Sequence, residues 1–319
     1  MKPWMLVVIL LAAALAWPGR AFCQSCSASM GTLNLGTVSA VSQNNTDISG
    51  NLAISCTGFA TPYVLVCANL GLPAGGGGWA SRVLPGPSGS SLAYAMYKDS
   101  ARTQPWTSVW DSISNSNAVS IQLNSGAGAV NLPFYARVPG NQPTLLAGNY
   151  SSTFTVNDAT IGYVNYLTSP PACSTSMYAA GFPFTVQATV AADCLITATN
   201  ANFGSLGLIT STVAALGTIT TTCTSGTTYA VSINAGQGTG ATVASRLLTR
   251  TGSTDTLRYN IYLDGTYKQI WGDGSNGTYT RPITGNGAAQ PATYYAVLAP
   301  QAGVKPGVYI DQLIATVTF

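Results

Sequence analysis

The sequence contains no histidine and no glutamate, its nine acidic residues are all aspartate, and only 7% of its 319 residues are charged. An average globular protein carries roughly 25%. Without His and Glu, the usual general acid–base groups reduce to a few aspartates, and no serine has an imidazole to activate it. The sequence therefore points away from an enzyme, and no cofactor is expected. The Lys and Arg residues form no basic patch, so nucleic acid is not an expected partner. Helix-period patterns are missing beyond the first residues, and no apolar run there approaches membrane length. Disorder is excluded by a hydrophobic fraction of 46%, enough buried surface to offset ordering entropy.

Met1 to Cys23 has the form of an export signal: Lys2, an apolar stretch from Met5 to Leu15, then Pro18-Gly19 and small residues. Small-residue cleavage sites lie after Ala21 and after Cys23. The second leaves six of the seven cysteines, an even number suited to an oxidising compartment, so the mature chain is expected to start at Gln24. Solubility then rests on Ser, Thr, Asn and Gly, because the mature net charge is near zero.

What is present is β-type sequence in two copies. Short Val/Ile/Thr/Tyr runs alternate with Gly, Asn, Ser and Pro, and the pattern repeats. Leu52–Thr57 (LAISCT) resembles Ile219–Thr224 (ITTTCT), and Leu92–Tyr97 (LAYAMY) resembles Leu257–Tyr262 (LRYNIY). Trp106 and Trp271 follow at the same distance, which suits a shared core role. Tyr135-Ala136 matches Tyr295-Ala296, and Gly148–Tyr150 matches Gly307–Tyr309. Cysteine spacing agrees, pairing Cys26 with Cys56 and Cys194 with Cys223. Such loops stabilise a fold by roughly 3–4 kcal/mol each in the chain-entropy model. Cys67 and Cys173 are left over in the first copy.

The copies differ in length. Only the first is followed by Phe182–Val190, where Phe182, Phe184, Val186, Ala188 and Val190 face one way and Thr185, Gln187 and Thr189 the other, a period-2 strand. The second closes on Leu313, Ala315, Val317 and Phe319 facing inward, with no further strand to cover its edge. The expected architecture is a signal over 1–23, a self-complemented sandwich over 24–190, and an incomplete one over 191–319. An uncovered apolar edge invites a strand from another chain. With only Gln24 and Ser25 before Cys26, the mature chain is expected to accept a strand without donating one.

The segment Phe184–Cys194 (FTVQATVAADC), the Cys194/Cys223 pair, Leu257–Tyr262, and the ending from Gly307-Val308-Tyr309 to Thr316–Phe319 together resemble spore coat protein U domains, subunits of archaic, Csu-type chaperone–usher pili. The resemblance spans nearly the whole mature chain. It implies two tandem immunoglobulin-like β-sandwiches, the second lacking its last strand, together with a periplasmic chaperone, an outer-membrane usher and a next pilin subunit as partners. Two-domain members resemble tip adhesins at the cell surface, exported through the periplasm, whose first domain attaches to surfaces and supports biofilm formation. The Cys67/Cys173 pair departs from the pattern. In such a sandwich the B–C and F–G loops share one end. With strand B in 52–67 and strand F in 148–157, Cys67 and Cys173 would link loops 68–91 and 158–181.

Those loops hold Leu70, Leu72, Trp79, Val83, Leu84, Tyr163, Tyr166, Leu167 and Tyr178, with Trp110 as a third candidate tip. They form either an exposed contact surface for a hydrophobic surface or unknown receptor, or a local core under long loops. A sugar-binding, lectin-like tip and a purely structural fibre initiator or coat component are the alternatives. The Gly75–Gly78 run lacks the Lys-Ser/Thr of a phosphate cradle and reads as a flexible loop. Asp255, Asp264 and Asp273 read as turn residues rather than Ca²⁺ ligands.

Overall fold

Alternating apolar and small polar residues, with Gly and Asn at the reversals, produce strands in both copies. The computed structural model describes residues 23–319, so the expected leader, apart from Cys23, lies outside the described residues. The first copy contributes β1 (Ser25–Ser29), β2 (Leu33–Ser39), β3 (Thr46–Thr57), β4 (Tyr63–Leu70), β5 (Arg82–Pro85), β6 (Ser91–Tyr97), β7 (Asn117–Gln122), β8 (Gly128–Val138), β9 (Gly148–Phe154), β10 (Ala159–Tyr166), β11 (Tyr178–Gly181) and β12 (Phe184–Ala191). The second contributes β13 (Cys194–Ala198), β14 (Val213–Cys223), β15 (Thr228–Ile233), β16 (Arg246–Arg250), β17 (Thr256–Tyr262), β18 (Arg281–Thr284), β19 (Ala289–Leu298), β20 (Tyr309–Ile310) and β21 (Ala315–Thr318). Among these residues no helix is long and apolar enough to cross a membrane.

In the first copy a sheet β1-β3-β8-β6-β5 is covered by two shorter sheets, β11-β10-β4-β7 and β2-β12-β9. In the second, β13-β14-β19-β17-β16-β20 is covered by β18-β15-β21. Each sandwich encloses its own apolar cluster, one running from Cys26 to Val190, the other centred on Ile219, Tyr229, Trp271 and Tyr294. The copies meet where Leu146 bridges Ser225 and the Ser39 hydroxyl donates to Asp193 Oδ2 at 2.6 Å.

The repeat extends to side chains. Trp106 and Trp271 are fully buried, and their indole Nε1 atoms donate to the carbonyls of Ala68 and Val231, each at 2.8 Å. A buried arginine in each copy pins the same backbone: Arg82 donates to the carbonyls of Leu70, Gly71 and Trp106, Arg246 to those of Ile233, Asn234 and Trp271. Cys26–Cys56 ties β1 to β3, and Cys194–Cys223 ties β13 to β14.

The expected strand assignments need three corrections. Residues 52–67 are not one strand: β3 ends at Thr57, and Cys67 sits inside β4. Strand F does not stop near 157, because β9 and β10 form one run that changes sheets at the turn 155–158. Loop 158–181 shrinks accordingly to 167–177, and loop 68–91 contains the end of β4 and all of β5. In each case a polar turn was counted as strand or an apolar strand as loop, because composition marks these boundaries weakly. The Cys67–Cys173 disulfide is formed, with Cα atoms 5.9 Å apart. It fastens loop 167–177 onto a strand face rather than joining two loops.

Candidate functional site: an open groove and two aromatic surfaces

The first feature is the difference in completion. β12 lies between β2, to which it is parallel, and β9, to which it is antiparallel. Phe182, Phe184, Val186, Ala188 and Val190 are all at most 5% exposed, and the Phe184 ring stacks on Phe154 at 4.5 Å. Five such side chains contribute roughly 1.5–3 kcal/mol each. Among the described residues the second copy has no strand in that position. β21 pairs with β15 and is the edge of its sheet, and β20 pairs only with β16. Leu313, Ala315 and Val317 are half-buried against the second core, as inward-facing positions should be. Phe319 departs from the expectation, being 61% exposed just past the last ladder pair. The Tyr259 hydroxyl donates to Asp311 Oδ2 at 2.7 Å beside this edge, and burial, reinforced by Asp311, pushes the phenol's pKa upward.

The other wall of the groove was not anticipated. Asn202-Phe203-Gly204 repeats the turn of Asn34-Leu35-Gly36, each Asn Oδ1 accepting from the Gly amide at 2.8 Å. The segment after it in the second copy corresponds to the strand that β12 covers in the first. Leu206 is 42% exposed and Leu208 91%. The Asn-Leu-Gly and Asn-Phe-Gly match is the sequence signal that would have located this wall, and it was not used.

The second feature is the end of the first copy farthest from the second, reached along β9 and β10. Tyr63 and Tyr166 stack at 5.4 Å, Tyr163 and Tyr178 at 6.0 Å, and Phe59 meets Tyr163 edge-on at 6.2 Å. Tyr178 is 76% and Leu167 67% exposed, whereas Tyr163 packs partly on the core. Tyr63 and Phe59 were missed as members because they precede the expected loops.

The third feature is a cleft of 340 Å³ beside the turn 155–158, lined by Leu72, Trp79, Ser108, Trp110, Asn157, Asp158 and Thr160. It sits at the Leu70 end of β4, while the tyrosine cluster sits at the Tyr63 end, roughly 23 Å away at the usual strand rise. The residues expected in loops 68–91 and 158–181 thus fall on two separate surfaces, and Trp110, the third candidate, joins Leu72 and Trp79 on one of them. Leu70 and Leu84 belong to neither: both are fully buried on strands and contribute to the core. Val83, which alternates with Leu84 on β5, is half-buried. The Gly75–Gly78 run is not a slack loop. Gly78 and Ser81 exchange backbone hydrogen bonds, and a Cβ on Gly77 (φ +98°) would stand 2.8 Å from Arg82 Cα. A broader depression of 510 Å³ on the outer faces of β1, β3 and β8 is lined by small side chains such as Ser27, Ala53 and Ser55 and carries no aromatic ring.

Asp264 and Asp273 accept hydrogen bonds within their own turns, from Thr266 and Ser275, whereas Asp255 is ion-paired with Arg250 and Lys305. No group of three or more metal-ligating side chains occurs among the described residues.

The family is shown by sequence. The profile of the Spore Coat Protein U domain matches residues 16–157 and 180–316, and the chain belongs to that family, with both copies included. Protein U of Myxococcus xanthus is 33% identical over 107 residues, which are 32% of this chain and 59% of that protein, so the chain spans less than two thirds of that relative's length. Among solved structures, the CsuC–CsuE chaperone–tip adhesion subunit pre-assembly complex from archaic chaperone–usher Csu pili of Acinetobacter baumannii aligns with a TM-score of 0.55 at 18% identity, over 92% of this chain and 100% of that one. The CupB6 tip adhesin from Pseudomonas aeruginosa aligns over 92% of this chain and 94% of that one, at 16% identity and a TM-score of 0.36. The first of these carries the fold: an all-β chain of two tandem sandwiches.

Proposed function

We propose that this chain is the tip subunit, an adhesin, of an archaic chaperone–usher pilus. In this reading residues 24–190 form the attachment domain and 191–319 the domain that accepts a strand from the next pilin. The carrying observation is the unequal completion of the copies. β12, the strand that leads into the second copy's first cysteine, is already spent filling the first copy, which therefore has no slot for a neighbour. The second copy keeps one open slot. A chain with one filled and one open slot terminates a fibre. Family membership and the match in fold to a chaperone-bound tip subunit support the reading, and with them a periplasmic chaperone, an outer-membrane usher and a place at the cell surface. Leu167, Tyr178 and the Tyr63/Tyr166 pair give the far end an apolar, aromatic face suited to hydrophobic surfaces and biofilm formation.

The test is calorimetric unfolding of the full chain with and without a peptide of residues 181–191. Because β12 already occupies the first slot, the peptide should raise only one of two transitions, by about 2–4 kcal/mol at saturation. Two transitions that ignore this peptide and the extension peptides of candidate partner pilins would sink the open-slot reading. Attachment to plastic by cells carrying Leu167→Ser and Tyr178→Ser, with normal piliation, separates adhesin from initiator: unchanged attachment favours the structural role.

A further inference from the structure

We infer that the cleft between Trp79 and Trp110 is a binding site for an uncharged sugar, distinct from the apolar far end. Six tryptophans occur in the chain. Two lie in the leader region, two are the buried core pair, and the remaining two both line this one cleft. Trp110 is 52% exposed, a large apolar face left to solvent beside polar groups that bind little else. Asn157 and Thr160 make no side-chain hydrogen bond among the described residues, and Ser108 Oγ only accepts, from the Trp110 amide. Asp158 spends Oδ2 on Thr155 and leaves Oδ1 free. Residues carrying two hydroxyls, an amide and a carboxylate thus line the same cleft as two indoles.

That combination matches a sugar ring, which has an apolar C–H face to lie on an indole and hydroxyls at its edge to donate to a carboxylate and an amide. The volume of 340 Å³ falls within the range of small-ligand sites. The only charged lining group is Asp158, so an anionic sugar would be repelled and a neutral one admitted.

The walls are built to hold still. Trp79 stands at the tip of the hairpin closed by Gly78 and Ser81, whose next residue, Arg82, is buried and locked onto the Gly71 carbonyl at 2.9 Å beneath the cleft. Asp111 gathers the Trp110 loop, accepting from Ser108 N at 2.9 Å, Ile113 N at 2.7 Å and Ser114 N at 2.6 Å, and Asn69 Oδ1 accepts from Val109 N at 3.1 Å. Fixing the backbone that carries both indoles before binding lowers the ordering cost of a ligand. The second copy repeats the hairpin at Thr242–Ser245 but places Val243 there, 8% exposed, and has no tryptophan after Trp271. The scaffold is shared, while the indoles belong to the first copy alone.

Saturation-transfer NMR and calorimetric titration of the full chain with lactose, maltose and cellobiose, and with sialyllactose as the anionic control, test the inference. A saturable response to at least one neutral sugar is expected, weakened about tenfold or more by Trp110→Ala and by Asp158→Asn. Trp79→Ala is the second indole variant, and melting curves check that each variant is folded. The Leu167→Ser/Tyr178→Ser protein should bind sugar normally. No response to any neutral sugar, a response that survives Trp110→Ala, or equal binding of sialyllactose overturns the inference. The pilus-tip reading stands or falls separately, on strand acceptance and on attachment to plastic.

Discussion

The two copies share a scaffold and differ in what has been left for another molecule to finish. In the first, Val38, paired beside Val190 of β12, and Ala40, just past β2, are 4% and 0% exposed; the corresponding Leu206 and Leu208 of the second are 42% and 91% exposed. Phe154 is fully covered by Phe184, whereas its counterpart Leu313 is only half-buried. The same framework can therefore be a closed domain or a receptor for a strand, and one eight-residue element, β12, makes the difference. The lesson is that an edge left open by the sequence reads as function when an intact copy of the fold stands beside it.

That comparison breaks first at the filled slot. Val186→Asp places a charge at a fully buried position of β12 and is expected to destabilise the first copy by about 3–5 kcal/mol. Leu313→Asp, in the open groove, should cost far less until a donor peptide is added, and then should abolish the peptide's effect. Urea unfolding followed separately for the two transitions checks both, and equal losses would mean that the second groove is already closed.

A smaller effect tests the buried arginines. Arg246 Nη1 donates to Asn260 Oδ1, a bond the first copy lacks because Ala95 replaces that asparagine. Arg82 Nη1 is accordingly left without a partner, and Tyr94 Oη is unpartnered too, because Ser152 stands where Asp311 accepts from Tyr259 in the second copy. Burial pushes Arg82 down to about 10, still charged at neutral pH, and pushes Tyr94 upward. Asn260→Ala should therefore destabilise the second copy by about 1–3 kcal/mol, while Ala95→Asn should stabilise the first by about 1 kcal/mol. Thermal melts of the two single variants decide it.

The smallest effect is acid sensitivity. Each copy has one aspartate held below its ordinary range by cations: Asp47 through a hydrogen bond from Arg137, with Arg102 adding to it, and Asp255 through hydrogen bonds from Lys305, Ser253 and Arg250. A depressed folded-state pKa contributes stability that is fully present above the unfolded value of 3.8 and is lost as pH falls through the folded one. Both transitions should drop below about pH 4, and Asp255→Asn should flatten only the second. Both ion pairs reach solvent, so salt should shrink the effect.

Much of this was legible before any coordinates. Paired cysteines, the LAYAMY/LRYNIY match and the tryptophans that follow announced the repeat, because core positions constrain residue type wherever the fold recurs. The period-2 run from Phe182 announced β12. The binding surfaces were less legible. Leu70 and Leu84 look like loop hydrophobics until β4 and β5 bury them, and Trp79 and Tyr178 look like neighbours until the β9–β10 run places them at different heights. An apolar residue near a Gly-rich stretch has the same composition whether it points into a core or into solvent, so local sequence does not separate the two.

By itself, the sequence determined that this is an all-β protein of two copies, stapled by disulfides, with one strand too few, since periodicity, cysteine spacing and copy length are properties of the chain in order. Only the tertiary structure decided which apolar side chains face water, that Cys173 fastens its loop to a strand face, and that the two free tryptophans share one cleft. Those are facts about residues far apart in the chain, and packing alone sets the distances between them.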